Sequence, residues 1–214
     1  MSDPETDWNF PDGSRREDQI LAHALDIVRE SGLASLTMKK VAERVGFTEA
    51  AAYRYFPTKH ALVVGILSRL GSLFIEGVAA ITRAPGLDPS QRLERVVRRH
   101  LEFISRSEGI PMLLFAEAAA AGNDEVLALL RSKIDAYLEL LESLLPDPAT
   151  PDGPTRHDQA VLLFALAPAL AMRRRLGGDA EAEEGIPRRV LPFLVRSLEA
   201  VGRRSETAEP GGGS

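Results

Sequence analysis

The chain has 214 residues, a formal net charge of −5 and no cysteine. Its length suits one large domain or two small ones, and the lack of cysteine excludes disulfide scaffolds and thiolate zinc sites. Aromatic residues make up only 6% of a chain rich in alanine and leucine, which favours an all-α fold. The acidic N-terminus has no apolar run, so we expect no secretory signal. The longest apolar run, residues 160–172, is too short to span a bilayer. We therefore expect a soluble, cytoplasmic protein with no membrane partner.

The first elements are a polar tail and one amphipathic helix. Residues 1–14 contain four acidic residues, two prolines and a glycine, so a disordered acidic tail is predicted. Apolar residues then recur at helical spacing, at Ile20, Leu21, Ala24, Ile27 and Val28. The pattern predicts a helix over residues 15–31 that ends at a glycine.

Residues 37–59, TMKKVAERVGFTEAAAYRYFPTK, predict two short helices joined by a tight turn. Thr37 and Thr48 can each cap a helix, because a threonine hydroxyl can accept hydrogen bonds from free N–H groups in the first turn. Gly46 follows the first helix, where a left-handed backbone costs glycine little, and Pro57 ends the second. This spacing is typical of a helix-turn-helix, whose second helix enters a DNA major groove. An ordinary helical hairpin has the same pattern.

The segment FTEAAAYRYFPTK, residues 47–59, resembles the recognition-helix signature of the TetR family of bacterial transcriptional regulators. Residues 16–32 and 36–38 are similar to that family's first helix and the approach to its second. Two positions depart from the family pattern: Tyr55 stands where histidine is more common, and Ala52 where leucine is more common. The resemblance implies an N-terminal three-helix DNA-binding head with a helix-turn-helix over residues 15–60. It also implies a C-terminal helical ligand-binding and dimerisation body over residues 61–202.

The recognition helix offers few base-reading groups. Ala50 and Ala51 suit contacts with thymine methyl groups, and Glu49 can accept from a cytosine amino group. Glu49 can equally serve only the helix dipole. Candidate phosphate contacts, which fix the register of a protein on DNA rather than its sequence preference, are Thr37, Lys39, Lys40, Thr48, Tyr53, Arg54, Tyr55 and Lys59. Residues 15–60 hold eight Lys and Arg against six Asp and Glu, a mildly basic segment in an acidic chain.

Six further helices are predicted over residues 58–83, 89–108, 112–121, 125–145, 155–176 and 186–201, with a disordered tail over residues 203–214. The run AVLLFALAPALAM, residues 160–172, is apolar on every side. It therefore needs a second apolar surface besides its own body. The resemblance implies a homodimer, and the interface candidates are Leu163, Ala167, Leu170, Val190, Leu194 and Leu198. Complete burial of this run within one monomer is the alternative.

The resemblance also implies a small-molecule effector that binds between the body helices and releases the protein, as a repressor, from a double-stranded DNA operator. Candidate walls of the pocket are Phe74, Phe103, Met112, Phe115, Tyr137 and Phe164, and candidate polar groups are His100, Glu117 and Asn123. Each of these residues can equally be ordinary core or surface. Residues 58–83 are the expected lever between pocket and head.

An enzymatic function is not expected. The four histidines are isolated, and the sequence contains no HExxH pair, nucleophile elbow, phosphate loop or dinucleotide fingerprint. No cofactor and no metal site are predicted. The alternative to an effector-controlled regulator is an architectural or division-coupled DNA-binding factor that takes no effector.

Overall fold

The computed structural model describes residues 15–107, 110–120, 122–147, 153–177, 189–190, 192–194 and 196–197. All regular structure in these residues is helical, which confirms the all-α prediction. The helices are α1 (Arg16–Ser31), α2 (Met38–Val45), α3 (Glu49–Tyr55), α4 (Lys59–Thr82), α5 (Pro89–Arg106), α6 (Ile110–Ala120), α7 (Asp124–Glu142) and α8 (Arg156–Arg175), with a 3-10 turn over Leu33–Ser35.

The chain forms two compact units and passes between them at three points, of which one lies inside α4, one inside α7 and one at the end of α5. The first unit holds the described residues up to Phe74 together with Ser107–Lys133. The second holds Ile75–Arg106 and the described residues from Ile134 onward. The first unit therefore contains more than the segment 15–60 that the sequence assigned to the DNA-binding head, and the functional boundary at residue 60 stays a prediction.

The three head helices α1–α3 share one apolar core in the first unit. Ile20 and Ala24 of α1, Leu36, Val41 of α2 and Ala52 of α3 are all fully buried. The stripe predicted from the spacing of α1 is therefore the face that packs on the other two helices, because the buried positions are those at helical spacing.

Helix α4 is long and apolar enough, by length and composition alone, to cross a membrane. Its apolar side chains have another explanation, because Leu62, Ile66, Leu70, Val78 and Ile81 are buried inside the protein. A core helix meets the same criteria as a membrane span, and we interpret α4 as a core helix.

Helix α5 packs against α8 in the second unit. Leu93, Val96 and Val97 are buried on α5, while Leu163 and Ala167 are buried on α8. These last two residues were dimer-interface candidates, and that assignment is corrected by their burial within the monomer. The alternative of burial inside one monomer holds for this face of α8 but not for the opposite face, which is described below.

Two prolines lie inside helices of this structure. Pro111 is in the first turn of α6, where a proline removes an N–H group that has no partner within the helix. Helix α8 continues through Pro168. Other predictions lie outside the described residues: the tails over 1–14 and 203–214, the side chains of Phe115 and Glu117, and Leu198.

Candidate nucleic-acid interface

The turn between α2 and α3 has the geometry that the sequence predicts. Thr37 Oγ1 accepts from the Lys40 N–H at 3.2 Å, and Thr48 Oγ1 accepts from the Ala51 N–H, also at 3.2 Å. Gly46 is left-handed, with φ 77° and ψ 32°, a conformation that costs glycine least. Helices α2 and α3 pack on each other directly after this turn. The pair is therefore a helix-turn-helix with both helix starts capped.

Helix α3 presents most of its side chains to solvent. Ala52 is fully buried against the head core, whereas the exposed candidates are Glu49, Ala50, Tyr53, Arg54 and Tyr55. Ala51 is half-buried, and Lys39 and Lys40 are exposed at the start of α2. The structure thus brings the predicted base-reading and phosphate-contacting residues onto one short helix and its neighbour.

An aromatic pair braces the end of α3. The rings of Phe47 and Tyr55 stack with centroids 6.3 Å apart and planes 24° from parallel. The Arg16 guanidinium carbon lies 5.6 Å from the Phe47 ring centroid, within reach of a cation–π interaction. Sequence reasoning assigned no role to Phe47. Its ring joins α1 to the recognition helix across 31 residues of sequence, a distance that local patterns do not reveal.

Two ion pairs tie other helices to α1. Arg44 of α2 donates two hydrogen bonds to Glu30, at 2.9 and 2.7 Å. These bonds hold the pKa of Glu30 below its usual range. Arg69 of α4 donates to Asp18 at 3.0 Å. Arg44 and Arg69 are therefore engaged in ion pairs that position helices. The exposed Lys39, Lys40 and Arg54 are better placed to contact phosphates.

Helix α4 begins beside the head. Thr58 Oγ1 accepts from the Ala61 N–H at 2.9 Å, so Thr58 caps α4. Lys59 Nζ donates to the Leu33 carbonyl oxygen at 3.0 Å. A lysine ammonium has three donors, so Lys59 keeps two for the phosphate contact that the sequence assigned to it.

Three of the predicted effector residues form one ring cluster in the second unit, which we call the ring cluster: His100, Tyr137 and Phe164. The His100 centroid lies 4.9 Å from that of Tyr137 and 5.5 Å from that of Phe164. Burial lowers the pKa of His100 to about 3 and raises that of Tyr137 above its ordinary value. Both groups are therefore neutral at physiological pH.

The other effector candidates are not part of this cluster. Phe74 is buried in the first unit, and Phe103 is half-buried on α5. Met112 is 39% exposed on α6, so it does not line the wall of a closed pocket. Asn123 caps α7 by accepting from the Val126 N–H at 3.2 Å. This use of the amide oxygen is structural and replaces the role of effector contact.

The side of α8 away from α5 carries an exposed row with apolar ends. Leu162 is 69% exposed and Met172 61% exposed, whereas the neighbouring Leu163 is 4% exposed. Successive members of the row are three or four residues apart, the spacing of one helix face. The row consists of Leu162, Ala165, Ala169 and Met172 of α8, with Leu176 directly after the helix. The remaining interface candidates Leu170, Val190 and Leu194 are half-buried.

Comparison with known proteins gives a sequence match for the head and a structural match for most of the chain. The sequence model of the family described as bacterial regulatory proteins, tetR family, matches residues 20–66, the segment that contains the helix-turn-helix. The head of this chain is therefore similar in sequence to the helix-turn-helix segment of that family. The fold of the described residues is TetR-like, with an N-terminal helix-turn-helix and a helical C-terminal body.

The nucleoid occlusion factor SlmA of Aliivibrio fischeri is 29% identical over 133 residues, which are 62% of this chain and 65% of that protein. This chain thus matches less than two thirds of that relative's length. Among solved structures, a TetR transcriptional regulator from Legionella pneumophila has a TM-score of 0.70 at 18% identity, over 87% of this chain and 99% of that chain. FadR from Bacillus subtilis, in complex with stearoyl-CoA, has a TM-score of 0.67 at 17% identity, over 83% and 96%. The matched family is described as regulatory proteins, and both solved structures are described as transcriptional regulators.

Proposed function

We propose that this protein is a cytoplasmic, sequence-specific transcriptional regulator that binds double-stranded DNA by placing α3 in the major groove. The observation that carries the proposal is the capped helix-turn-helix, whose second helix exposes Glu49, Ala50 and Tyr53–Tyr55 to solvent. A short helix that is held from behind by a buried residue and exposed in front suits insertion into a groove.

Base reading falls to the start of α3. Ala50 and Ala51 supply methyl groups for thymine contacts, and the Glu49 carboxylate accepts from a cytosine amino group. Because an acid also repels phosphate, Glu49 restricts the sequence more than it strengthens binding. Phosphate contacts come from Lys39, Lys40, Arg54 and Lys59, together with the hydroxyl groups of Thr37, Thr48, Tyr53 and Tyr55.

Selection from random duplexes tests this assignment, followed by affinity measurements over a range of salt concentrations. We expect an enriched site, and we expect Lys40→Ala to weaken binding to all sequences and to reduce the salt slope by about one. Glu49→Ala should change the preferred base at one position. Glu43→Ala removes the same charge from the exposed side of α2 and is the matched control, with an unchanged preference. Selection that enriches no sequence contradicts the proposal.

We propose that two copies associate through the exposed row of α8. An apolar row of this kind is unusual on the surface of a monomer, and Phe193, farther along the chain, is also 62% exposed. Closed two-fold dimers are the commonest assembly of identical chains. A dimer presents two recognition helices and therefore favours an operator with two half-sites.

The adjacent leucines of α8 give a matched test of the dimer. Leu162→Glu places a charge in the exposed row and should yield a folded monomer by sedimentation. Leu163→Glu places the same charge on the buried face that packs on α5 and should unfold the protein instead. If the Leu162→Glu protein remains dimeric at micromolar concentration, the dimer interface does not lie at this row.

We propose that a small, mainly apolar effector binds in the body and releases the protein from its operator. The ring cluster supports this proposal because it gathers three aromatic or heteroaromatic rings in the second unit, and His100 is neutral there. FadR from Bacillus subtilis, whose fold is similar to that of this chain, is solved in complex with stearoyl-CoA, a ligand with a long apolar acyl chain. A ligand changes DNA affinity only as far as its own affinity differs between the DNA-bound and released conformations.

The test has two steps. Apolar metabolites are first screened by thermal shift, and each compound that stabilises the protein is then tested for release of the selected duplex. Phe164→Ala should abolish both effects because it removes one ring of the cluster. A compound that stabilises the protein but does not release the duplex shows that the body has a binding site, and it contradicts control of DNA binding by that compound.

The second candidate function is a DNA-binding factor that takes no effector. The similarity to a nucleoid occlusion factor over 62% of this chain favours it. In that case the protein occupies its sites at every metabolite concentration, and its effect comes from where it sits on the chromosome. DNA affinity that is indifferent to every compound that binds the body supports this second function.

A further inference from the structure

His60 is hydrogen-bonded at both ring nitrogens to residues more than 60 positions away in sequence. Its Nε2 lies 2.8 Å from Glu125 Oε2, and the Asn123 side-chain amide nitrogen lies 3.1 Å from its Nδ1. We call these three residues the His60 latch. His60 is in the first turn of α4, while Asn123 and Glu125 are at the start of α7, and all three belong to the first compact unit.

One protonation state satisfies every bond of the latch. In the neutral ring with hydrogen on Nε2, that group donates to Glu125 and Nδ1 accepts from Asn123. The other end of the Asn123 side chain accepts from the Val126 N–H at 3.2 Å, which fixes the orientation of the amide. The side chain that caps α7 therefore also fixes the direction of the His60 ring.

The residue before His60 connects the same turn to the DNA-binding head. Lys59 Nζ donates to the Leu33 carbonyl oxygen at 3.0 Å, and Thr58 caps the helix at 2.9 Å. The first turn of α4 is thus bonded on one side to the head and on the other to α7. Lys59 is the proposed phosphate contact, so the position of this turn decides where its ammonium meets DNA.

We infer that His60 is a positioning residue for DNA binding and that Asn123 and Glu125 of α7 hold it in place, an inference that rests on the DNA binding proposed above. The start of α7 is then part of the DNA-binding apparatus although it touches no DNA. A displacement of the turn before α7 is therefore transmitted to Lys59 through the side chain of His60.

Net charge alone and the His60 latch predict opposite changes in DNA affinity when Glu125 is removed, and this makes the inference testable. Glu125 is an exposed acid, so its removal makes the protein less negative and by charge alone strengthens DNA binding. The latch predicts weaker binding after the same change, because His60 loses its carboxylate partner. The bond from the neutral His60 ring to Glu125 joins two exposed groups, so it is worth the low end of the range for a protein hydrogen bond, and we expect a loss of about threefold.

The experiment compares Glu125→Ala with Asp124→Ala in the full chain, using a duplex obtained by selection with the unaltered protein. Asp124 is the adjacent exposed acid on the same turn and lies outside the latch. Asp124→Ala should leave affinity unchanged or slightly raised, while Glu125→Ala should lower it about threefold. Equal effects of the two changes overturn the inference. Urea unfolding of both variants shows that each is folded under the binding conditions.

A double-mutant cycle then tests whether the two residues act through each other. His60→Ala combined with Glu125→Ala should bind no more weakly than the weaker single variant, and losses that multiply overturn the latch. His60→Gln keeps a donor for Glu125 and an acceptor for Asn123, so it should retain most of the affinity, whereas a purely steric role for the ring predicts no such rescue. An unaltered protein that selects no duplex overturns the DNA-binding proposal and the inference together. Selection followed by failure of the cycle overturns the inference alone.

Discussion

The buried imidazole of His100 makes the stability of this protein depend on pH in a predictable direction. His100 is 3% exposed and lies against the rings of Tyr137 and Phe164. Burial lowers its pKa to about 3, compared with about 6.5 in an unfolded chain. Below the unfolded value, the unfolded chain therefore takes up a proton that the folded protein does not, and folding loses stability as pH falls.

The size of the effect follows from the two pKa values. The contribution of His100 is fully present above about pH 6.5 and declines by about 1.4 kcal/mol for each pH unit between 6.5 and 3. At pH 5 the unfolded chain is almost completely protonated at this position while the folded protein is not. The expected loss between pH 7 and pH 5 is about 2 kcal/mol, a large part of the stability of an ordinary domain.

Urea unfolding at pH 7, 6 and 5 measures this loss, with His100→Phe as the comparison. Phenylalanine keeps a ring against Phe164 but cannot take up a proton. The unaltered protein should therefore lose about 2 kcal/mol more than the variant between pH 7 and pH 5. The difference between the two pH dependences is what counts, since the larger ring also changes packing at every pH. If the free energy of unfolding changes with pH equally in the two proteins, the argument is refuted, because His100 then protonates as readily in the folded protein as in the unfolded chain.

Two further changes test packing and capping by urea unfolding. Gly65→Ala would place a Cβ 2.8 Å from the ring of Phe56 and should cost about 1–3 kcal/mol. Gly71→Ala is its control, since the nearest atoms are the flexible side chain of Lys133 at 3.0 Å, and it should be neutral or stabilising by up to about 1 kcal/mol. Equal costs at the two glycines contradict the assigned contact. Thr48→Ala should cost about 1 kcal/mol through loss of the α3 cap, whereas Thr48→Ser should cost little, and a serine variant as unstable as the alanine variant contradicts that role.

The sequence predicted those parts of the head that depend on neighbouring residues. The caps at Thr37 and Thr48 and the left-handed Gly46 each involve groups within five positions of one another. Their chemistry is fixed by residue type and spacing, so the pattern of 23 residues was enough to place two helices and the turn between them. The all-α class followed from helical periodicity and composition for the same reason.

Contacts between distant residues were not predictable in this way. The pairing of Phe47 with Arg16 and the latch around His60 join segments 31 and more than 60 residues apart, and no local pattern marks either partner. The assignment of α8 failed for a different reason. Its central run is apolar on every side, so periodicity does not distinguish the face of Leu163 from that of Leu162. Only the packing of α5 on one side decides which face is left exposed.

The ring cluster separates the two candidate functions by an energetic requirement. If an effector enters between His100, Tyr137 and Phe164, it must replace ring contacts worth about 0.5–1.5 kcal/mol for each pair beyond the area they bury. Such a ligand therefore needs an apolar or aromatic part that contacts the same rings. If the cluster is core alone, replacing His100 by phenylalanine changes stability and its pH dependence but leaves operator affinity unchanged in the presence and absence of every ligand. Under effector control the same substitution alters the ligand concentration that releases DNA, because the ligand and the rings compete for one space. One variant thus gives a pH dependence that tests burial and a release curve that tests control, and the two results are independent because only the second requires a ligand.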